Sequence, residues 1–169
     1  EVIPDTADMI NNSVFALNGF DETLDSLVGN GSIQNSQPTF ITLTVGAGNN
    51  NADSRFNGPV SGNTNVVKVG TGRQIWGAGG STYSGTTTID SGTLAVSAEA
   101  GGGAMQALGS TAGHTIVNAN GTLDIRGVAY ALAEPVTVNG GKLLISYGTS
   151  SFPGPITLAT ALATMQTDA

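Results

Sequence analysis

Residues 65–94 read NVVKVGTGRQIWGAGGSTYSGTTTIDSGTL, and this stretch decides the fold class. Val67, Val69 and Ile75 alternate with other residues, and glycines interrupt the pattern. After them come Thr-rich and Leu-containing runs, again separated by Gly, Ser or Asp. Short β-branched runs that end at a turn residue every five to ten positions or so predict strands joined by tight turns. Because helical spacing is absent from the stretch, we expect β-structure here.

A short motif recurs along the chain, in which a turn is followed by an apolar residue, any residue and a second apolar residue. Three copies share a Gly-x preface, and their first leucines, Leu94, Leu123 and Leu143, are 29 and 20 residues apart. Strands that recur while their loops vary in length are typical of solenoids, since insertions go outward into loops. The copies occupy residues 15–17, 43–45, 94–96, 123–125 and 143–145.

The physical reason for coiling is burial. A strand of about five residues with two or three inward apolar side chains cannot cover its own face, whereas a second copy stacked above it hides that face and pairs its backbone. Parallel strands connected in one direction wind right-handed in nearly all proteins. We therefore predict an all-β chain that forms a right-handed parallel β-helix, a single β-solenoid segment over residues 1–169 with about seven coils of roughly 20 to 25 residues.

The stretch 65–94 resembles the passenger-associated repeat of bacterial autotransporters, whose pattern runs L-x-K-x-G-x-G-x-L-x-L-x-G-x-N-x-Y-x-G-x-T-x-I-x-x-G-x-L. Residues 12–30 and 46–60 are similar to segments found near that repeat in such passengers. The chain departs from the pattern where residues 73–76 read RQIW and the family favours Thr-Leu-Thr-Leu. The resemblance then predicts that Ile75 points inward and that Trp76 lies outside or at a corner.

The resemblance implies an extracellular or cell-surface location, and residues 1–169 would be part of a longer passenger. It implies a display scaffold that supports adhesion or surface interaction, with neighbouring solenoid segments and host or matrix surface molecules as partners. A different hypothesis is a self-assembling fibre, because open strand edges at the two ends can accept further copies of the chain. A third is a carbohydrate-active enzyme, since polysaccharide lyases and hydrolases often use the β-helix.

The amino-acid composition narrows the remaining classes of function. Only 10% of the 169 residues are charged, the formal net charge is −7, and there is no cysteine. No basic stripe is present to follow a phosphate backbone, so nucleic acid is not an expected partner. No run of 18 apolar residues exists to span a membrane as a helix, and we expect any signal peptide to lie upstream or to have been removed. The Lys and Arg residues are Arg55, Lys68, Arg73, Arg126 and Lys142.

Metal sites have few candidate ligands. His114 is the single histidine, so it offers no His pair for zinc and no choice of triad partner. We expect it to be a turn residue before a strand at 115–117. Residues 49–53 read NNNAD and offer several oxygens, but they lack the spacing of a calcium loop and predict an Asn-rich turn. We predict no metal and no cofactor.

Catalysis of glycoside cleavage needs two carboxylates at a controlled separation. Asp90 and Asp124 lie in or beside predicted strands, and alternation turns Asp124 outward toward solvent. Sequence spacing leaves open a pair formed across coils. The acidic residues Asp21, Glu22 and Asp25 cluster near a predicted turn, where carboxylates are usually solvated. We assign no catalytic residue and predict that the chain is not an enzyme.

Three further segments carry weaker signals. Tyr83 precedes Ser and Gly and is able to stack on a sugar, but its place in the repeat favours a packing or corner role. Residues 101–103 are glycines without the Gly-Lys-Ser/Thr of a phosphate loop, and residues 104–108 predict a short excursion or helical turn. Within the C-terminal region, residues 159–165 are compatible with a terminal helix or with another coil.

Overall fold

The computed structural model describes residues 3–49, 53–77, 79–97 and 106–168, and within these ranges it contains sixteen strands and no helix. All strand-to-strand ladders in these ranges are parallel. Each coil of the chain passes through three positions, and the same position in successive coils builds one side of a three-sided column. The three sides are named sheet 1, sheet 2 and sheet 3 below.

Sheet 1 contains one strand from each of seven successive coils. Two of its members belong to long strands that turn the corner from sheet 1 into sheet 2 without a break in strand structure, with a register shift at the corner between Ile89 and Ser91. Its strands are β3 (Glu22–Leu24), β6 (Ile41–Val45), β9 (Thr64–Lys68), the first part of β11 (Thr87–Ser97), the first part of β12 (Thr115–Arg126), β13 (Val136–Asn139) and β15 (Ile156–Leu158).

Sheets 2 and 3 complete each coil. Sheet 2 contains β1 (Asp8–Ile10), β4 (Ser26–Val28), β7 (Asp53–Phe56), β10 (Arg73–Trp76), the last parts of β11 and β12, β14 (Lys142–Tyr147) and β16 (Thr164–Thr167). Sheet 3 contains β2 (Val14–Ala16), β5 (Ser32–Asn35) and β8 (Val60–Gly62). Backbone hydrogen bonds such as Thr82 N to Val60 O at 2.9 Å continue sheet 3 into the later coils.

The prediction of a parallel β-solenoid with about seven coils is confirmed. Residues 159–165 do not form a helix. Instead the chain turns after β15 and enters β16, which pairs in parallel with β14 and begins another coil. Of the two possibilities for this segment, the second is therefore correct.

The recurring triplets lie on all three sides of the column. Leu94, Leu123 and Leu143 lie directly above one another in sheet 2, as the shared Gly-x preface indicates. The triplet at 43–45 lies in sheet 1 instead, and Phe15 lies in sheet 3. The five copies therefore do not occupy one common position in the coil. Each coil buries apolar side chains on three sides, and the same short pattern occurs on each side.

The expected orientation of Ile75 and Trp76 is wrong, because the two residues exchange faces. Val66 is fully buried and Trp76 is 3% exposed in the apolar core, whereas Val67 is on the outer side of β9. Trp76 packs edge-on against Tyr83 with ring centroids 6.2 Å apart. Ile75 alternates with Trp76 and points away from the core cluster. A shift of one residue exchanges the two faces of a strand, so the apolar residues at odd positions are the outward set.

The corner between sheets 1 and 2 requires glycine. Gly92 has a φ of +68°, and a Cβ added to it would lie 2.4 Å from the Gly70 carbonyl oxygen of the coil below. A real Cβ atom cannot approach an oxygen so closely, and L-residues rarely adopt this φ. The glycines of the repeat therefore allow successive corners to stack in direct contact.

Candidate functional site

The outer surface of sheet 1 presents an uncharged column of β-branched side chains. Neighbours in this column are paired in register, for example Thr88 with Ile116 and Ile116 with Thr137. Such a column forms a regular strip along the length of the solenoid, because parallel strands stack about 4.8 Å apart. Its members are Thr23, Thr44, Val67, Thr88, Ile116, Thr137 and Thr157.

A ladder of polar side chains runs beside this strip. Asn118 Nδ2 donates a hydrogen bond of 2.7 Å to Asp90 Oδ1, and Asn139 Nδ2 donates one of 3.1 Å to Asn118 Oδ1. The three residues belong to three successive coils, and both hydrogen bonds are solvent-exposed. Asp90 is thus a surface carboxylate fixed by an amide neighbour.

The prediction that Asp124 faces solvent is wrong. It lies on the outer side of sheet 2 but is only 2% exposed. Its Oδ2 accepts a 2.9 Å hydrogen bond from Ser146 Oγ and lies 3.4 Å from Arg126 NH1. Its Oδ1 is buried and has no hydrogen-bond partner among the described residues. Asp90 and Asp124 therefore differ in sheet and environment, and neither contacts the other through any hydrogen bond among the described residues.

The remaining candidates fall at separate places. His114 directly precedes β12, as predicted, and it is exposed. Tyr83 is fully buried, so its ring has no face available for a sugar. Asp21 is exposed, whereas Glu22 is buried on the inner side of β3, so the prediction that this cluster is solvated is wrong for Glu22.

Potential metal ligands are scattered over the described part of the chain. There, no group of three or more His, Asp or Glu side chains lies close enough to hold a metal ion. Much of the Asn-rich run, residues 50–52, and the glycines at 101–103 fall outside the described residues, as do residues 104 and 105 of the segment 104–108. The predictions for those segments remain predictions.

A buried cation occupies the inward column of sheet 1. Lys68 is 1% exposed and lies between Val45 and Ile89 of the neighbouring strands. Its Nζ donates to the carbonyl oxygens of Val69, of Gly70 at 3.3 Å and of Ser91 at 3.4 Å. Burial lowers the pKa of Lys68 to about 8, and the negative charge of Asp25 opposes that shift.

A side-chain amide inside the column forms hydrogen bonds with the backbone of sheet 2. Gln74 points inward and its Nε2 donates to the carbonyl oxygens of Leu27 at 2.8 Å and Ser54 at 3.1 Å. Its Oε1 accepts a 3.3 Å hydrogen bond from Leu27 N. Gln74 therefore supplies, from inside the column, partners for the backbone of β4.

A second buried polar group lies in the later coils. Glu134 is 0% exposed, and its Oε1 accepts a 3.2 Å hydrogen bond from Thr115 Oγ1. Tyr83 and Tyr130 lie near it, and the Tyr83 hydroxyl is 2.6 Å from Thr87 Oγ1. Desolvation raises the pKa of Glu134 to about 7 and also raises the pKa of both tyrosines.

Sequence reasoning missed Lys68, Gln74 and Glu134 as buried residues. For Gln74 a signal was present, because a polar residue stands at an apolar position of the repeat. For Lys68 the repeat itself contains Lys at that place, but its long polar side chain suggests a surface position. For Glu134 no local pattern distinguishes a buried carboxyl from a solvated one.

Apolar side chains are exposed at both ends of the described column. At the first coil, a groove of about 370 Å³ is lined by Ile3, Phe15, Leu17 and Phe20, among others. At the other end, Leu158 and Met165 are each 52% exposed, although they continue inward columns of the core. These side chains lack the next coil that covers their counterparts elsewhere.

The fold, the stacked glycine corners and the repeat at 65–94 define a β-solenoid of the autotransporter passenger type. The resemblance noted in the sequence is confirmed by a relative. The chain is 34% identical over 145 residues to the adhesin BmaC autotransporter of Brucella suis biovar 1 (strain 1330), and the match covers 82% of this chain. It spans about 4% of the length of that relative.

Two other comparisons gave no match. No protein-family model matches the chain, and no solved structure matches it. In the described residues, no helix has the length and apolar character needed to cross a membrane.

Proposed function

We propose that this chain is a structural segment of a surface-displayed, autotransporter-type adhesin, in which the solenoid acts as a stiff spacer and display scaffold. The observation that carries the proposal is the inward stacking of Leu94, Leu123 and Leu143 in one register. Such columns make the coils a continuous rod, since each coil buries its apolar face on its neighbours. The similarity to an adhesin supports an extracellular location and a role in adhesion.

The partners that fit the ends are neighbouring solenoid segments. Leu158 and Met165 already stand in the register that a further coil would bury. The uncharged strip on sheet 1 and the Asp90–Asn118–Asn139 ladder offer the most regular surface for contact with host or matrix molecules. A flat polar surface of this kind binds through many weak hydrogen bonds and van der Waals contacts rather than through one deep pocket.

The test is adhesion by bacteria that display the chain within a longer passenger. We expect adhesion to cultured cells to fall when Leu123→Asp breaks the core column, while Thr111→Asp, at an exposed turn, leaves adhesion and display unchanged. Surface display must be measured with an epitope tag in each strain. Unchanged adhesion by a displayed but unfolded Leu123→Asp segment would exclude a role for the rod.

Self-assembly into fibres is a second candidate, favoured by the exposed Phe20, Leu158 and Met165 at opposite ends. Charge opposes it, because Asp5 and Asp21 lie at one end and Asp168 lies at the other. Sedimentation velocity at increasing protein and salt concentration separates fibre formation from a spacer role. A fibre-forming chain gives large species that are absent from the Met165→Lys variant, whereas a spacer segment stays monomeric.

A further inference from the structure

The carboxyl group of Glu134 occupies an unusual place. Each coil is numbered by the sheet 1 strand at which it ends, from β3 for coil 1 to β15 for coil 7. Glu134 lies in coil 6 where the chain passes from sheet 3 to sheet 1, two residues before β13 begins. The side chain is 0% exposed, and among the described residues its Oε2 has no hydrogen-bond partner. One oxygen is thus bound by Thr115, and the other is shielded from solvent without a donor in the described part of the chain. A carboxylate in such a place is costly, whereas a protonated carboxyl is tolerated.

No opposite charge compensates Glu134 within the described ranges. The ionisable groups that interact with it are Tyr83 from coil 4 and Tyr130 from its own coil, and burial keeps both neutral. Thr115 of coil 5 contributes a hydroxyl, and Gly154 of coil 7 contributes only backbone. His114 precedes Thr115 but is exposed.

The backbone around Glu134 joins three successive coils. Thr115 N donates to Pro135 O at 2.9 Å, and Val136 N donates to Pro155 O at 2.9 Å. Gly154 lies so close above Glu134 that an added Cβ would be 1.8 Å from the Glu134 carbonyl oxygen. Because the side chain is 0% exposed, the carboxyl group reaches water only if this corner of the column opens.

We propose that Glu134 is a proton-operated latch, whose protonated form keeps the sheet 3 to sheet 1 corner of coils 5 to 7 closed and whose carboxylate form loosens it. The raised pKa of about 7 agrees with this geometry. The closed state binds the proton more tightly than an open state, in which the carboxyl group has its ordinary pKa of 4.5. Closure is therefore most favourable below about pH 4.5 and is lost as pH rises through about 7.

Hydrogen exchange followed by mass spectrometry tests the latch, after correction for the intrinsic pH dependence of exchange. We expect the opening equilibrium for residues 128–136 to rise roughly tenfold per pH unit between about pH 5 and 7, on the order of 100-fold in total. Glu134→Gln should remove this dependence, and Glu22→Gln in coil 1 should retain it. An unchanged pH dependence in Glu134→Gln would overturn the proposal.

A measurement on the unsubstituted protein remains decisive if Glu134→Gln does not fold. The sequence contains four glutamates, Glu1, Glu22, Glu99 and Glu134, so ¹³C labelling of the glutamate carboxyl carbons gives few resonances. One resonance should titrate near pH 7, together with the loss of exchange protection at residues 128–136. Titration of all four near pH 4 to 5 would show that Glu134 has no latch function.

Discussion

The amide of Gln74 satisfies both backbone groups of Leu27, a residue 47 positions earlier in the chain. Inside a parallel solenoid these groups normally bond to the next strand, here β7. In this chain the ladder between β4 and β7 is reduced to a bridge between Gly29 and Phe56. The polar side chain at an apolar repeat position therefore compensates for a local loss of strand pairing.

Replacing Gln74 with Leu, the residue type that the repeat favours, should destabilise the protein by about 2 kcal/mol. Each buried backbone group left without a partner costs about 1 to 3 kcal/mol, and burial of the Leu side chain offsets part of that. Urea denaturation monitored by circular dichroism measures the change. Gln34→Leu, on an exposed position of β5, is the control and should alter stability by less than about 0.5 kcal/mol. A stabilised Gln74→Leu protein would contradict the bridging role.

Alanine at Gly92 should destabilise the corner between sheets 1 and 2 by about 2 kcal/mol or more, since it adds a steric clash to an unfavourable φ. Gly80 provides a matched control, because it also has positive φ, +96°, but an added Cβ meets nothing within 4 Å. Gly80→Ala should lower the free energy of unfolding only through backbone strain, by about 1 kcal/mol. Equal losses in the two variants, measured by thermal or urea unfolding, would mean that the corners are not in contact.

Lys68 makes the free energy of unfolding depend on pH, and the sign of this dependence is opposite to that caused by Glu134. Its folded-state pKa, about 8, lies below the ordinary value of 10.5, so the unfolded chain binds more protons between these limits. Stability should therefore rise with pH across this window. Lys68→Met should lose that rise, and at pH 7 it should be less stable by about 1 to 3 kcal/mol because three carbonyl groups lose their donor.

The measurement is urea unfolding of both proteins at several pH values from 7 to 10. Lys142→Met, on a partly exposed position of β14, controls for the loss of one positive charge and should leave the pH dependence unchanged. If Lys68→Met and the unsubstituted protein changed stability in parallel from pH 8 to 10, the buried ammonium would not titrate in this window.

The coiled architecture was predictable from sequence because its causes are local and repeated. Turn residues mark the corners, and Leu94, Leu123 and Leu143 recur after the same Gly-x preface. The register of residues 65–76 was not predictable in this way. Lys68 and Gln74 place polar atoms inside the column, which breaks the apolar alternation that normally identifies the buried face.

The polar sites depend on contacts between coils, and for that reason the sequence does not reveal them. Asp124 alternates outward, as predicted, yet Ser146 and Arg126 surround it. The Glu134 carboxyl group accepts a hydrogen bond from Thr115 of the preceding coil, and Gly154 of the following coil packs over the Glu134 backbone. By contrast, the position of His114 directly before a strand follows from its neighbours in the chain and was predicted correctly.

Cysteine cross-linking tests the parallel stacking most directly, since the chain contains no cysteine of its own. Thr88 and Ile116 are register partners on the outer side of sheet 1, and adjacent strands lie about 4.8 Å apart. This Cα separation is within the range that a disulfide spans, whereas two coils, about 9.6 Å, exceed it. The variant with Thr88→Cys and Ile116→Cys should form an intramolecular disulfide under mild oxidation, and the variant with Thr88→Cys and Thr137→Cys should not. A disulfide in the second pair and none in the first would contradict a solenoid with these strands in this order.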